Sequence, residues 1–225
     1  MTPITSPIVE FIDVAVEIAG EARLSNISFA IPRGTFVYLH GQTGCGKSLI
    51  LKLIAGVLTP SAGEVRVAGD VINDFTDSDR RQLRRSMGIM SQEGLLLDDR
   101  TVFDNVMLPA LAADESYGEA RQRAQKALAR CHIEDLADYK PRELSHGQRQ
   151  IACLARAVVN GPKLILADEP AAHLDVDNAQ LLMNLLGEFS LGGVPVIVAS
   201  HISVMPQNIA VDSLKLTATG VYVCD

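Results

Sequence analysis

The stretch Gly41-Gln42-Thr43-Gly44-Cys45-Gly46-Lys47-Ser48 constrains this chain more than any other. It follows the apolar run Phe36-Val37-Tyr38-Leu39 and opens into a second, Leu49-Ile50-Leu51-Lys52-Leu53-Ile54-Ala55. That order predicts a buried strand, a glycine-rich turn and a helix N-terminus, the context that the pattern G-x-x-x-x-G-K-[ST] requires. The glycines let backbone N–H groups converge on phosphate oxygens with no Cβ in the way. The helix adds unpaired N–H groups and the positive end of its dipole. Lys47 is placed to reach the β- and γ-phosphates, and Ser48 to ligate Mg2+ through its hydroxyl. A glycine-rich turn that merely happens to carry Lys-Ser is the bland alternative, and the flanking strand and helix argue against it. The stretch reads as a nucleotide-phosphate site.

The totals narrow the class. With 225 residues the chain has room for one large domain, or for a domain with a lobed insertion. A net charge of −7 argues against a nucleic-acid partner spread over a broad surface, because phosphate contacts need clustered Lys and Arg. No apolar run approaches the roughly 20 residues that span a bilayer. Met1 to Ser6 lacks the basic region and apolar core of a secretion signal. The expectation is a cytosolic chain that docks on a membrane through a partner. Cys45, Cys131, Cys153 and Cys224 share no C-x-x-C spacing, so neither a zinc site nor a disulfide framework is suggested. Cys131 and Cys153 fall on apolar helix positions, whereas Cys45 sits among N–H donors that favour a thiolate.

Alternation at Val14, Val16 and Ile18, and again at Ile27, Phe29 and Ile31, predicts an N-terminal antiparallel hairpin turning at Gly20-Glu21-Ala22. Val65 and Val67 mark a further strand. Arg80, Arg81, Arg84 and Arg85 lie at helical spacing on a solvated face. Met87 to Met90 is a short buried strand that ends at Ser91-Gln92. From Thr101, with Asp104 three residues on, to about Gly161 the pattern is helical, with Ala120, Ala124, Ala127, Leu128 and Cys131 on one stripe. Ser145 and Gln148 form a capping box at the last helix of that run. The strand Leu164 to Ala167 delivers Asp168-Glu169, and Val194 to Ala199 delivers Ser200-His201. In an open α/β sheet, ligands lie beyond the carboxyl ends of the strands, so the phosphate loop, Gln92, Asp168, Glu169 and His201 project toward one edge. The tail from Asp212 reads as a hairpin around Thr219-Gly220. The fold class is α/β: a phosphate-loop NTPase core (1–92 and 161–225), an N-terminal antiparallel subdomain and an all-helical lobe over 93–160.

Taken in order, these motifs resemble those of the ATP-binding cassette (ABC) ATPases over nearly the whole chain. They are the phosphate loop at 41–48, Gln92, Leu144-Ser145-His146-Gly147-Gln148, Asp168-Glu169, the loop Ala172-His173-Leu174-Asp175, and His201. The resemblance implies a head-to-tail homodimer that sandwiches two ATP molecules, each site built from both chains. It implies that Ser48, Gln92 and Asp168 attend Mg2+, that Glu169 is the general base on the attacking water, and that His201 binds the γ-phosphate. Ser145, Gly147 and Gln148 would face the partner chain's γ-phosphate, and Asp175 would couple the two sites. Hydrolysis of this kind rests on positioning and charge stabilisation more than on covalent help.

Two departures stand out. His146 occupies a position where the family most often has glycine. Ile18 falls where these ATPases usually stack an aromatic ring on adenine, and Phe11 lies too early to replace it. The segment Leu95 to Val106 is similar to that of the group containing the cell-division (FtsE), lipoprotein-release (LolD) and macrolide-export (MacB) ATPases. Ala171-Ala172-His173 departs from the Thr-Gly-Asn usual there. The implied partner is an integral membrane subunit, FtsX-like or a permease, gripped by a lobe groove that includes Leu95 to Leu97. Packing within the lobe is the alternative for those leucines. A solute importer or lipid exporter subunit, a non-hydrolysing scaffold and a soluble ABC ATPase stay open as other readings.

Overall fold

Period-two alternation builds the N-terminal layer of the computed structural model, which describes residues 6–92, 95–207, 209–217 and 220–224. Strands β1 (Val9–Ile18) and β2 (Glu21–Ile31) pair antiparallel; β4 (Ala62–Val67) and the short β5 (Asp70–Val71) complete a sheet of order β2-β1-β4-β5. Both hairpin strands begin earlier than strict alternation suggests. The register shifts between Phe11 and Val14 and again between Val16 and Glu17, so bulges break the period that the sequence displays. At Gly63 the left-handed backbone (φ 79°) passes so close to β1 that a Cβ would lie 2.3 Å from the Asp13 carbonyl oxygen. Only glycine closes that crossing.

The second sheet runs β10-β9-β3-β8-β7-β6. Its parallel centre consists of β3 (Phe36–His40), β8 (Val196–Ala199), β7 (Leu164–Asp168) and β6 (Met87–Met90), with β9 (Val211–Thr217) also parallel to β3. β10 (Gly220–Cys224) returns antiparallel to β9; Thr219, in the expected turn, lies outside the described residues. Strands buried on both faces read as unbroken apolar runs, and β3, β7 and β8 do. Val37 and Leu39 pack with helix α1 (Lys47–Ile54) and the antiparallel sheet, while Phe36 and Tyr38 face the helical side.

Helix α2 (Asp77–Arg85) buries none of its residues, as its charge pattern predicted. Helices α3 (Val102–Leu111), α4 (Tyr117–Arg130) and α5 (His146–Val158) pack against one another, and α6 (Val176–Leu191) follows β7. Each lobe helix is capped by a hydroxyl: Thr101 accepts from Asp104 N–H, Ser116 from Glu119 N–H and Ser145 from Gln148 N–H. Cys131 and Cys153 are buried and not disulfide-bonded, and burial pushes the Cys131 thiol up to about 12. Of the three leucines assigned to a groove, Leu95 and Leu97 are exposed (66% and 48%) but Leu96 is buried in the core. The fully buried Asn105 explains the outward pair. Its amide accepts from Leu97 N–H at 2.7 Å and donates to the Leu97 carbonyl at 3.0 Å, pinning the loop in place.

Phe11 is 2% exposed and stacks on Phe29 with ring centroids 4.6 Å apart. Truncating it leaves a cavity as well as lost transfer energy. Phe11→Ala should lower unfolding stability by about 3–5 kcal/mol with an unchanged denaturant m-value, measured by urea denaturation.

Candidate functional site

The turn between β3 and α1 is held from both sides. A Cβ on Gly41 would meet the Leu216 carbonyl oxygen of β9 at 2.4 Å, and one on Gly46 would meet the Leu24 Cδ2 of β2 at 2.6 Å. Gly46 caps α1 in a left-handed conformation (φ 106°) with no side chain over the helix end. Both sheets therefore press on the loop, and its N–H groups stay uncovered by side chains at that end. Lys47 is 7% exposed; its ammonium donates to the Gly41 carbonyl at 3.0 Å and the Gln42 carbonyl at 3.4 Å. Ser48 Oγ donates to Asp168 Oδ1 at 3.1 Å.

β7 ends at Asp168, and Glu169 follows with a left-handed backbone (φ 47°), unusual for a side chain with a Cβ. Its N–H donates to the Ala199 carbonyl at the end of β8 at 2.8 Å, which locks the bend. The Glu169 carboxylate is nearly buried and fully engaged. Oε2 accepts from Ser200 Oγ at 2.8 Å and from His201 N–H at 3.3 Å. Oε1 lies 2.9 Å from His201 Nδ1 and 3.9 Å from Lys47 Nζ. With Nδ1 facing the carboxylate, Nε2 is the ring nitrogen left for a ligand. Burial raises the Asp168 carboxyl above the usual carboxylate range; the Ser48 hydrogen bond opposes this and the Glu169 charge adds to it. His40, at the end of β3, is held below its ordinary value by burial and by the charges of Lys215 and Lys47.

A cleft of roughly 480 Å3 runs over the loop, lined by Ile18, Arg23, Thr43, Gly44, Gly46, Lys47, Ser48, Leu49, Gln92, Glu169 and His201. The structure thus brings Lys47, Ser48, Gln92, Glu169 and His201 together, with Asp168 attached through Ser48. Gln42 and Cys45 do not line this cleft; with Thr43 and Gly44 they line a second cavity, of about 440 Å3, against Lys215, Leu216 and Thr217 of β9. Ile18 is in the main cleft and 39% exposed, whereas Phe11 is core.

Ser145, Gly147, Gln148 and Asp175 do not line the cleft of their own chain. Ser145 is the exposed N-cap of α5, and its N–H in turn donates to Gln148 Oε1 at 2.9 Å. A Cβ on Gly147 would come 2.5 Å from Asn178 Oδ1, so α5 sits directly on the start of α6. Asp175 caps α6 and is held below the usual carboxylate range by hydrogen bonds from the Asn178 backbone and side chain. His146 and His173 meet edge-to-face with centroids 6.4 Å apart. Sequence reasoning gave no role to Ser200 or Arg23. Ser200 had a signal in its place beside His201 at a strand end; Arg23 had none, since its position depends on strand register.

A buried ammonium, a helix N-terminus and two carboxylates of different surroundings suit a polyanion carrying a divalent cation. The donors fit Mg2+ completed by phosphate oxygens and water: Ser48 and Asp168 offer hard oxygen, and no cluster of three His, Cys, Asp or Glu able to hold a metal is found among the described residues.

Comparison with known proteins shows what the chain as a whole is similar to. A family model described as ABC transporter matches residues 24–172. The cell division ATP-binding protein FtsE of Escherichia coli strain K12 is 39% identical over 184 residues, covering 82% of this chain and 83% of that protein. FtsE of Haemophilus influenzae is 38% identical over 183 residues, 81% of this chain and 84% of that one. Among solved structures, the dimeric ATP-binding cassette MJ0796 in a post-hydrolysis state, bound to ADP and Pi, superposes with a TM-score of 0.84 at 31% identity, covering 95% and 96% of the two chains. CbiO1 of Clostridium perfringens, part of the ABC transporter complex cbiONQ, gives a TM-score of 0.87 at 28% identity, covering 96% and 87%.

A carboxyl that binds its proton more tightly folded than unfolded costs stability once pH rises through that range. For Asp168 the cost is therefore present at neutral pH and fades toward acid. Asp168→Asn, which cannot ionise, should raise the ligand-free melting temperature at pH 7, with the gain shrinking as pH falls into the ordinary carboxylate range, read by calorimetry.

Proposed function

Because the chain belongs to the ABC transporter family, we propose that it closes head-to-tail on a second copy of itself around ATP and drives a conformational change in an FtsX-like membrane protein. It is an ABC-type ATPase, with ATP as substrate and Mg2+ as cofactor. The observation that carries the mechanism is the convergence of Lys47, Glu169 and His201 on one cleft over the phosphate loop.

In this reading the loop N–H groups and Lys47 hold the β- and γ-phosphates. Ser48, Asp168 and Gln92 would hold Mg2+, which when bound neutralises charge between the phosphate oxygens. Glu169 polarises the attacking water. Ser200 and the His201 N–H fix its Oε2, leaving Oε1 between Lys47 and the His201 ring. Arrival of phosphate draws Lys47 toward the anion, and Oε1, still paired with His201 Nδ1, has a second lone pair with which to accept the proton of the water. His201 orients the water and the γ-phosphate through Nε2. Ser145, Gly147 and Gln148 present a second helix N-terminus, and their absence from the chain's own cleft is what a site completed by a partner copy requires. Asp175, at the start of α6 beside Asn178 and Gly147, would link α5 to the second site.

Support for a membrane partner lies in a groove of about 360 Å3 between α2, β6, α3 and α5. Arg81, Arg84, Arg85 and Arg156 line it beside Ile89 and Pro109, and Arg156 hydrogen-bonds the Leu95 carbonyl, making the exposed leucine loop continuous with the groove. An amphipathic cytoplasmic helix with acidic and apolar side chains fits that lining. No described helix is long and apolar enough to cross a membrane, so attachment to the inner face of the cell membrane would come through this contact. The cell-division role carried in the name of the FtsE relatives supports an output in that process, and activation of peptidoglycan hydrolases through the membrane partner is our own extension of it.

Glu169→Gln should bind ATP, accumulate as a dimer on size-exclusion chromatography and hydrolyse at least about 10²-fold more slowly; hydrolysis at the unmodified rate would remove Glu169 from the role of base. Lys47→Ala should lose ATP binding by calorimetry. Affinity capture in detergent with tagged Glu169→Gln, ATP and Mg2+ should recover an FtsX-like protein. Recovery of a transporter permease would redirect the partner, and charge reversal at Arg84 and Arg85 should abolish capture while sparing ATP hydrolysis.

A further inference from the structure

The cleft has two ends, and only one is explained. Gln92, Glu169 and His201 mark the γ-phosphate end, so a nucleotide held along the loop sends its base toward the other, at Ile18 and Arg23. Among the described residues no Phe, Tyr or Trp lines the cleft, and its one imidazole, His201, lies at the γ-phosphate end. Arg23 is there because of a strand irregularity. Val16 pairs with Leu24 and Glu17 with Ala22, so Arg23 is the extra residue of a β-bulge, a device that re-aims a side chain. Its neighbour Leu24 is pressed against Gly46, which fixes the bulge to the phosphate loop. On the other side Glu21 pairs with the Arg23 guanidinium at 2.9 Å. Both side chains of that pair are more than half exposed, and such surface bridges add little stability, so Glu21 biases the direction of the guanidinium while the bulge and the Leu24–Gly46 contact set its place.

We propose that the Arg23 guanidinium, steadied by Glu21 and backed by Ile18, is the stacking platform for the nucleotide base, in place of an aromatic ring. A planar, weakly hydrated guanidinium packs on an aromatic face, and a base presents one. Stacking of this kind reads the π-face and not the base edge, so adenine and guanine should be held alike. The inference rests on the nucleotide-site reading above and adds the residue that receives the base.

The test is calorimetric titration of the full chain with ATP, GTP and inorganic tripolyphosphate, in EDTA so that no hydrolysis intervenes. Arg23→Ala should weaken ATP and GTP alike by roughly five- to tenfold and leave tripolyphosphate within about twofold. Arg23→Lys keeps the charge and the Glu21 pair but has no plane, and should lose nearly as much. Adding Ile18→Tyr to Arg23→Ala should restore ATP affinity. Unchanged ATP affinity in Arg23→Ala, or an equal loss for tripolyphosphate, would overturn the assignment, the latter by making Arg23 a phosphate ligand. An unmodified protein that binds neither ATP nor tripolyphosphate would overturn the nucleotide site itself, and the base platform with it.

Discussion

The molecule is organised around a buried ammonium and a nearly buried carboxylate held apart. Lys47 Nζ and Glu169 Oε1 lie 3.9 Å from each other, beyond a hydrogen bond, each occupied by neutral or shared partners. Burying two charges costs several kcal/mol per ion unless geometry and hydrogen bonds offset it, so such a pair is poor evidence for stability. Here the two carbonyls of the loop, Ser200 and His201 take up the slack. The pair makes physical sense as an arrangement waiting for an anion, and the two sheets are what keep it from collapsing into a direct salt bridge. β2 presses on Gly46, β9 on Gly41, and β8 pins the bend at Glu169 through the Ala199 carbonyl.

Much of this was legible in the chain. The phosphate loop showed itself through its flanks, the parallel strands through unbroken apolar runs, and the lobe helices through their caps at Thr101 and Ser145. What was not legible depends on register or on partners distant in sequence. Alternation cannot announce where a bulge resets the period, so β1 and β2 were read too short and Arg23 passed unnoticed. Leu95 to Leu97 looked like one apolar patch, yet Asn105, eight residues beyond Leu97, turns two of the three outward and lets the third into the core. Ser200 was seen only as the residue before a histidine; its bond to Glu169 joins positions 31 apart in the chain.

The start of α5 divides its tolerance for side chains between two adjacent positions. Gly147 has no space for a side chain against Asn178, while His146 beside it is exposed and meets His173 edge-on. A larger residue is therefore tolerated at position 146 and excluded at 147. The departure from glycine at 146 leaves the close packing of α5 on α6 untouched, and Asp175 and Asn178 hold that junction from the other side.

Helix α5 carries Ser145 at its start and Arg156 near its end, about 16 Å apart at the 1.5 Å rise of an α-helix. It is clamped along the way: a Cβ on Gly88 of β6 would strike the Ala157 carbonyl at 2.8 Å. The other end is gripped as closely, by Asn178 of α6 against Gly147. A rod held at both ends has no free tip to swing, so any shift at the phosphate end would have to travel with α6 and β6 as one body, and α5 would act as a strut between the two sites.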